Sequence, residues 1–95
     1  MKFEEHCLEC TQKLGLPFQE VHRWLDAYAG LPKYGMRHRK VRHHQAGINE
    51  IIKLFGIEAG KAARLHIVSD LKMEGWKETD HFPLDEADYV KMGLF

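Results

Sequence analysis

The chain has 95 residues, 44% of them apolar, and its 14 basic side chains are matched by 14 acidic ones. That length holds one domain with one core, spanning 1–95, and the composition excludes intrinsic disorder. There is no apolar run near the roughly 20 residues a bilayer-spanning helix needs, no signal-peptide core and no disulfide framework around the two cysteines, so a cytoplasmic protein that does not engage membranes is expected.

The elements predicted in chain order are helical. Phe3, Cys7, Cys10 and Leu14 recur at helical spacing, and Gly15 follows as a stop. Pro17 suits the first turn of a second helix whose apolar arc is Phe18, Val21, Leu25 and Tyr28, flanked by Trp24; Gly30-Leu31-Pro32 ends it. A third helix is expected from Met36 to Phe55, with Gly56 as its stop. On that helix Val41, Ile48, Ile51, Ile52 and Phe55 share one arc of about 100°, and Arg37 and His44 fall inside it. His38, Arg42, Gln45 and Asn49 form a polar stripe beside it, and Gly47 shares a face with His43, which calls for a close neighbour. A fourth helix, Glu58 to Leu71, has a bulky face of Leu65, Ile67, Val68 and Leu71. Its small-residue face carries Ala59, Ala62 and Ala63 together with His66 and Asp70. Met73 to Phe82 reads as a loop holding Trp76, and a short last helix runs from about Leu84 to Met92 with Asp85 and Glu86 at its positive end. The expected fold is all-α: a compact bundle of four main helices plus a short C-terminal one.

Three constellations carry chemistry. His22/Asp26 and His66/Asp70 are i, i+4 pairs, which a helix places on one face, so both side chains of a pair can converge on one ion. Imidazole with carboxylate suits zinc, manganese, iron or nickel, and bundle interiors house such sites. The plainer reading is a helical polar pair, with the carboxylate satisfying a half-buried histidine. Residues 37 to 44, Arg-His-Arg-Lys-Val-Arg-His-His, hold four cations and three histidines without an acid. They suit phosphates or an acidic partner, or else the acid-rich stretch from Glu74 to Asp88 within the same fold. A nucleic-acid reader more often has a net positive charge, and this chain has none. His6-Cys7-x-x-Cys10 lacks the second cysteine pair of a zinc ribbon and the preceding strand of a redox motif, so its cysteines are expected in the core. No His-Asp dipeptide, His-Glu-x-x-His motif or phosphate-binding glycine loop occurs.

The series His6, His22-x-Trp24-x-Asp26, Arg37-His38-Arg39-x-x-Arg42-His43-His44-x-x-Gly47, Phe55-Gly56 and His66-Ile67-x-x-Asp70 resembles an uncharacterised family of small bacterial and phage proteins, over nearly the whole chain. The resemblance implies a shared site at these residues and supplies no reaction. The cysteine pair of the first helix departs from it.

The expectation is therefore a small metal-binding protein, with hydrolysis as the chemistry such a site would serve and enzymatic activity left open. Its metal ligands are His22, Asp26, His38, His66 and Asp70 around a divalent transition metal. Arg37 and Arg42 orient a small anionic ligand, and His44 acts as an acid/base group or supports a ligand. Two alternatives stand beside it. One is a module binding nucleic acid or an acidic partner through residues 33–42. The other is a structural domain whose histidines and aspartates form a closed hydrogen-bond network. Assembly into a homo-oligomer is left open.

Overall fold

The computed structural model describes residues 1–34 and 37–94. Six helices occur among them: α1 (Phe3–Leu14), α2 (Gln19–Leu25), α3 (Arg39–Arg42), α4 (Gln45–Phe55), α5 (Ile57–Met73) and α6 (Glu86–Lys91). No described residue is in a strand, and no helix is long and apolar enough to cross a membrane. Four helices have seven residues or more, and α6 is the short C-terminal one; the all-α bundle read from periodicity is what forms.

Local chemistry explains most boundaries. Glu5 accepts the Lys2 N–H at 3.1 Å, which closes the start of α1, and Gly15 ends it at φ 88°, a left-handed conformation that suits glycine. Asp85 caps α6 by accepting the Asp88 N–H at 2.8 Å. The 17-residue α5 is the spine of the molecule, packed by α1, α2 and α4. Its small face, Ala59, Gly60, Ala62 and Ala63, is fully buried and lets those neighbours approach closely. At Gly60 an added Cβ would lie 2.6 Å from Ile52 Cγ1, so the α4–α5 crossing depends on the missing side chain. Cys10, Val21, Leu25, Ile48, Ile51, Ile67, Leu71, Trp76 and Tyr89 fill the core around it. Cys7 and Cys10 are free thiols, Cys10 buried and Cys7 partly so.

The single helix expected from Met36 to Phe55 is corrected. Its first residue lies outside the described residues, and the rest divides into α3 and α4 at His43 and His44. His43 turns out of the helix at ψ 61° and His44 is extended, at φ −159° and ψ 177°. A continuous helix would satisfy the N–H groups of Gln45 and Ala46 locally. Instead they donate to the carbonyls of Pro83 (3.0 Å) and Leu84 (2.9 Å), nearly forty residues away. Gly47 fits this junction because a Cβ there would overlap the Arg42 carbonyl. The break also shifts the wheel on which the apolar arc was drawn. Ile48 and Ile51 are buried, whereas Ile52 and Phe55 are exposed.

Candidate metal centre

Side chains from four elements meet inside the bundle. α1 contributes His6, α2 contributes His22, the residue that caps its C-terminus is Asp26, His43 follows the end of α3, and α5 contributes His66 and Asp70. The four imidazoles and Asp70 are each at most 2% exposed, while the Asp26 side chain is 33% exposed. The burial follows from the elements themselves. His6 shares the inward side of α1 with Cys10, and His66 lies on the small-residue face of α5. His43 reaches the interior because the chain leaves helical geometry at that residue.

Asp26, His43, His66 and Asp70 form one group with their ligand atoms all within 4.8 Å of one another, and His6, His22 and His66 form a second. His43 Nε2 lies 3.2 Å from Asp70 Oδ2 and 3.4 Å from Asp26 Oδ1. His66 Nε2 lies 3.3 Å from Asp70 Oδ2 and 3.5 Å from Asp26 Oδ2. Four donors around a tetrahedral ion with bonds of about 2.1 Å stand about 3.4 Å apart. The separations fit ligands sharing an ion, and at 3.2 Å the His43 Nε2–Asp70 Oδ2 pair is also a hydrogen bond.

Hydrogen bonding fixes how His66 is presented. His22 Nε2 lies 2.9 Å from the Pro17 carbonyl, which can only accept, so His22 carries its proton there. Neutral His22 then has its lone pair at Nδ1, 2.9 Å from His66 Nδ1, and His66 must donate. A neutral His66 is thereby left with Nε2 unprotonated, facing two carboxylates. That atom is buried and forms no hydrogen bond despite its close oxygens. Lone pairs opposing lone pairs call for a positive charge between them, supplied by a proton or a metal ion. A proton on Nε2 would find neither oxygen in line, whereas an ion needs the lone pairs as they stand.

Without an ion, the two carboxylates pull His66 toward its protonated form. Burial disfavours a charged His66, but Asp26 and Asp70 outweigh it and raise its pKa. Burial likewise opposes an ionised Asp70, yet the imidazoles of His43, His6 and His66 hold it well below the carboxylate range. Asp26 follows the same balance, brought down to about 2 mainly by His66. Burial, reinforced by the charge of His66, lowers His22 to about 4. Burial also takes His43 down to about 4 against the pull of Asp70. The cluster thus presents two anionic carboxylates with neutral imidazoles at His22 and His43, a donor set for a hard-to-borderline dication.

Of the residues singled out in the sequence, His22, Asp26, His66 and Asp70 lie in this cluster. His38 lies at its rim, its Nε2 3.3 Å from Asp26 Oδ1 and its side chain 16% exposed. His44, Arg42 and Arg37 are not brought there. His44 caps α4: Nδ1 accepts the Gly47 N–H at 3.1 Å and Nε2 donates to the Val41 carbonyl at 3.0 Å, so both nitrogens are engaged. Arg42 donates to the Trp24 carbonyl at 2.8 Å, and its guanidinium lies 3.9 Å from the Trp24 ring centroid and 4.9 Å from that of Tyr28. Arg37 is exposed and lines a cavity of about 150 Å³ with Lys40, Val90, Gly93 and Leu94.

The cation that does turn inward is Arg39, bonded to Glu74 at 3.0 Å and 3.7 Å from Asp70 Oδ1; Glu74 also accepts from the Tyr89 hydroxyl at 3.2 Å. His6 and His43 carried weaker signals. His6 stood beside a cysteine pair, and His43 was recognisable only by its shared face with Gly47. A larger cavity, about 580 Å³, is floored by Leu14, Leu65, Val68, Trp76 and Phe82, and no residue of the cluster lines it.

Comparison with known proteins gives the chain a family without giving it a reaction. No curated protein and no solved structure matches it. Residues 1–91 match a family described as a domain of unknown function (DUF6915), and the chain belongs to that family.

Proposed function

We propose that this member of a family of unknown function is a small metal-binding protein in which Asp26, His43, His66 and Asp70 hold one divalent transition-metal ion. The observation that carries the reading is His66 Nε2, buried, the lone-pair nitrogen of the neutral ring set by the Pro17–His22–His66 relay, and facing two carboxylates with which it makes no hydrogen bond. Two imidazoles with two carboxylates suit zinc, and also manganese, iron(II) or nickel; no thiolate is present to favour a softer ion. His22 holds His66 in the required tautomer and His38 braces Asp26.

Asp26 is the partly exposed ligand, so the ion is approachable from that side. Water or a small anionic ligand would join there as a fifth donor beside the four side chains, and a dication held by them would acidify such a water, the chemistry hydrolysis needs. We place the protein in the cytoplasm, where the free thiols of Cys7 and Cys10 persist. Within the family, the Arg-His-Arg-x-x-Arg-His-His-x-x-Gly core is proposed as the shared element of bacterial and phage members. Here it supplies His38, Arg39, His43 and Gly47 together.

A role for residues 33–42 in binding nucleic acid is less favoured. Two of the five cations, Arg39 and Arg42, are engaged inside the fold. The closed-network reading draws on the same contacts and is separated by titration. Calorimetry with zinc on untagged protein is expected to show saturable binding, weakened at least a hundredfold by His66→Gln and by Asp26→Asn. No binding of zinc, manganese, iron(II) or nickel by the folded wild-type protein would refute the metal reading and leave the closed network.

A further inference from the structure

His6 is buried to 1% exposure, and neither of its ring nitrogens has a hydrogen-bond partner. The four-ligand site described above does not use it. Its ring stacks on that of His66, with centroids 3.6 Å apart and planes within 12°. The two parallel rings address the same carboxylate through different oxygens: His66 Nε2 is 3.3 Å from Asp70 Oδ2, and His6 Nε2 is 3.3 Å from Asp70 Oδ1. A carboxylate that bridges two metal ions presents one oxygen to each, and the ions of such pairs lie about 3.5–4 Å apart. Parallel histidines ligating neighbouring ions would be separated by about that distance, as these rings are.

We propose that a second divalent ion binds between His6 Nε2 and Asp70 Oδ1, so that Asp70 bridges a two-metal centre. The inference rests on the four-ligand reading and extends it. Two cations already face Asp70 Oδ1, the Met1 α-amino group at 3.3 Å and the Arg39 guanidinium at 3.7 Å. The second ion therefore displaces the amine and binds more weakly than the first. Arg39 stays in place through its shorter bond to Glu74. Both Met1 and Arg39 are about one-fifth exposed, so solvent reaches this oxygen and completes the coordination.

The test is zinc and manganese(II) stoichiometry on the whole untagged chain by calorimetry, with electron paramagnetic resonance of the manganese form. Wild type is expected to take two equivalents, the second at least tenfold weaker, and to give a spin-coupled manganese signal. His6→Gln is expected to retain one equivalent and an uncoupled signal. Should His6→Gln fail to fold, His6→Phe keeps a ring stacked on His66 and serves as the second variant, with folding followed by circular dichroism. One equivalent in wild type, or an uncoupled signal at saturation, overturns the second site and leaves the four-ligand site intact. Two equivalents that persist in the His6 variants also overturn it. No binding at all removes both.

Discussion

His22 and His43, neutral in the cluster, make the metal-free protein sensitive to acid. Their folded pKa values of about 4 lie below the ordinary 6.5. Between those limits the unfolded chain binds more protons, so their contribution to stability is complete above pH 6.5 and lost as pH falls toward 4. Asp26 and Asp70, both depressed, contribute stability above 3.8 that is lost at still lower pH. His66, raised, works in the opposite sense, its contribution full below 6.5 and lost as pH rises through the folded value. Urea midpoints of the metal-free protein are expected to fall steadily from pH 6.5 to 4, and less steeply in His22→Gln. An identical slope in that variant would contradict the assignment of neutral His22. Asp70→Asn leaves buried imidazoles and Arg39 without their counter-charge and is expected to destabilise the fold by about 3–5 kcal/mol, measurable by the same denaturation. At this scale the sequence was informative where spacing is local. The i, i+4 pairs exposed His22/Asp26 and His66/Asp70. The direction of His43 is set by a break in the helix that local spacing does not show, and for the same reason Arg39, rather than Arg37, faces Asp70 and Glu74.

Among the elements, the α3–α4 junction is the most demanding. His44 caps α4, the N–H groups of Gln45 and Ala46 reach Pro83 and Leu84, and Gly47 clears the Arg42 carbonyl. Gly47→Ala is expected to cost about 1–3 kcal/mol or more, since backbone must move to admit the methyl group. Gly60→Ala meets side-chain atoms of Ile52 and Ile48 rather than backbone, the nearest at 2.6 Å, and should cost less. Thermal unfolding of the two variants checks the order; equal losses would argue against the junction as drawn. Several helix ends were legible because their signals are local: Gly15 after α1, Gly56 after α4, Asp85 before α6; α2, however, ends at Leu25, before Tyr28 and the expected stop at Gly30-Leu31-Pro32. The break at His43–His44 was not, because its hydrogen-bond acceptors lie at Pro83 and Leu84. No pattern within eight residues of the break announces a partner that distant.

Across the whole molecule, the cluster ties together α1, α2, the end of α3 and α5, elements also joined through the apolar core. An ion that binds only the folded chain adds stability with concentration, about 2.7 kcal/mol at a hundredfold excess over Kd. For a domain of this size that raises Tm by about 10–20 °C. Scanning calorimetry with added zinc, and again after chelation, should show the rise and its reversal, and should show neither in His43→Gln. The same linkage makes amides of α2 and α3 the expected beneficiaries in hydrogen exchange, because each holds its ligand at a terminus rather than along a long packed helix. The central claim is that four side chains share one ion, and an anomalous-difference map from crystals grown with zinc addresses it without intermediaries. The expected result is a peak within bonding distance of Asp26, His43, His66 and Asp70. A map with no peak among those residues, at full zinc loading of the crystal, would contradict it.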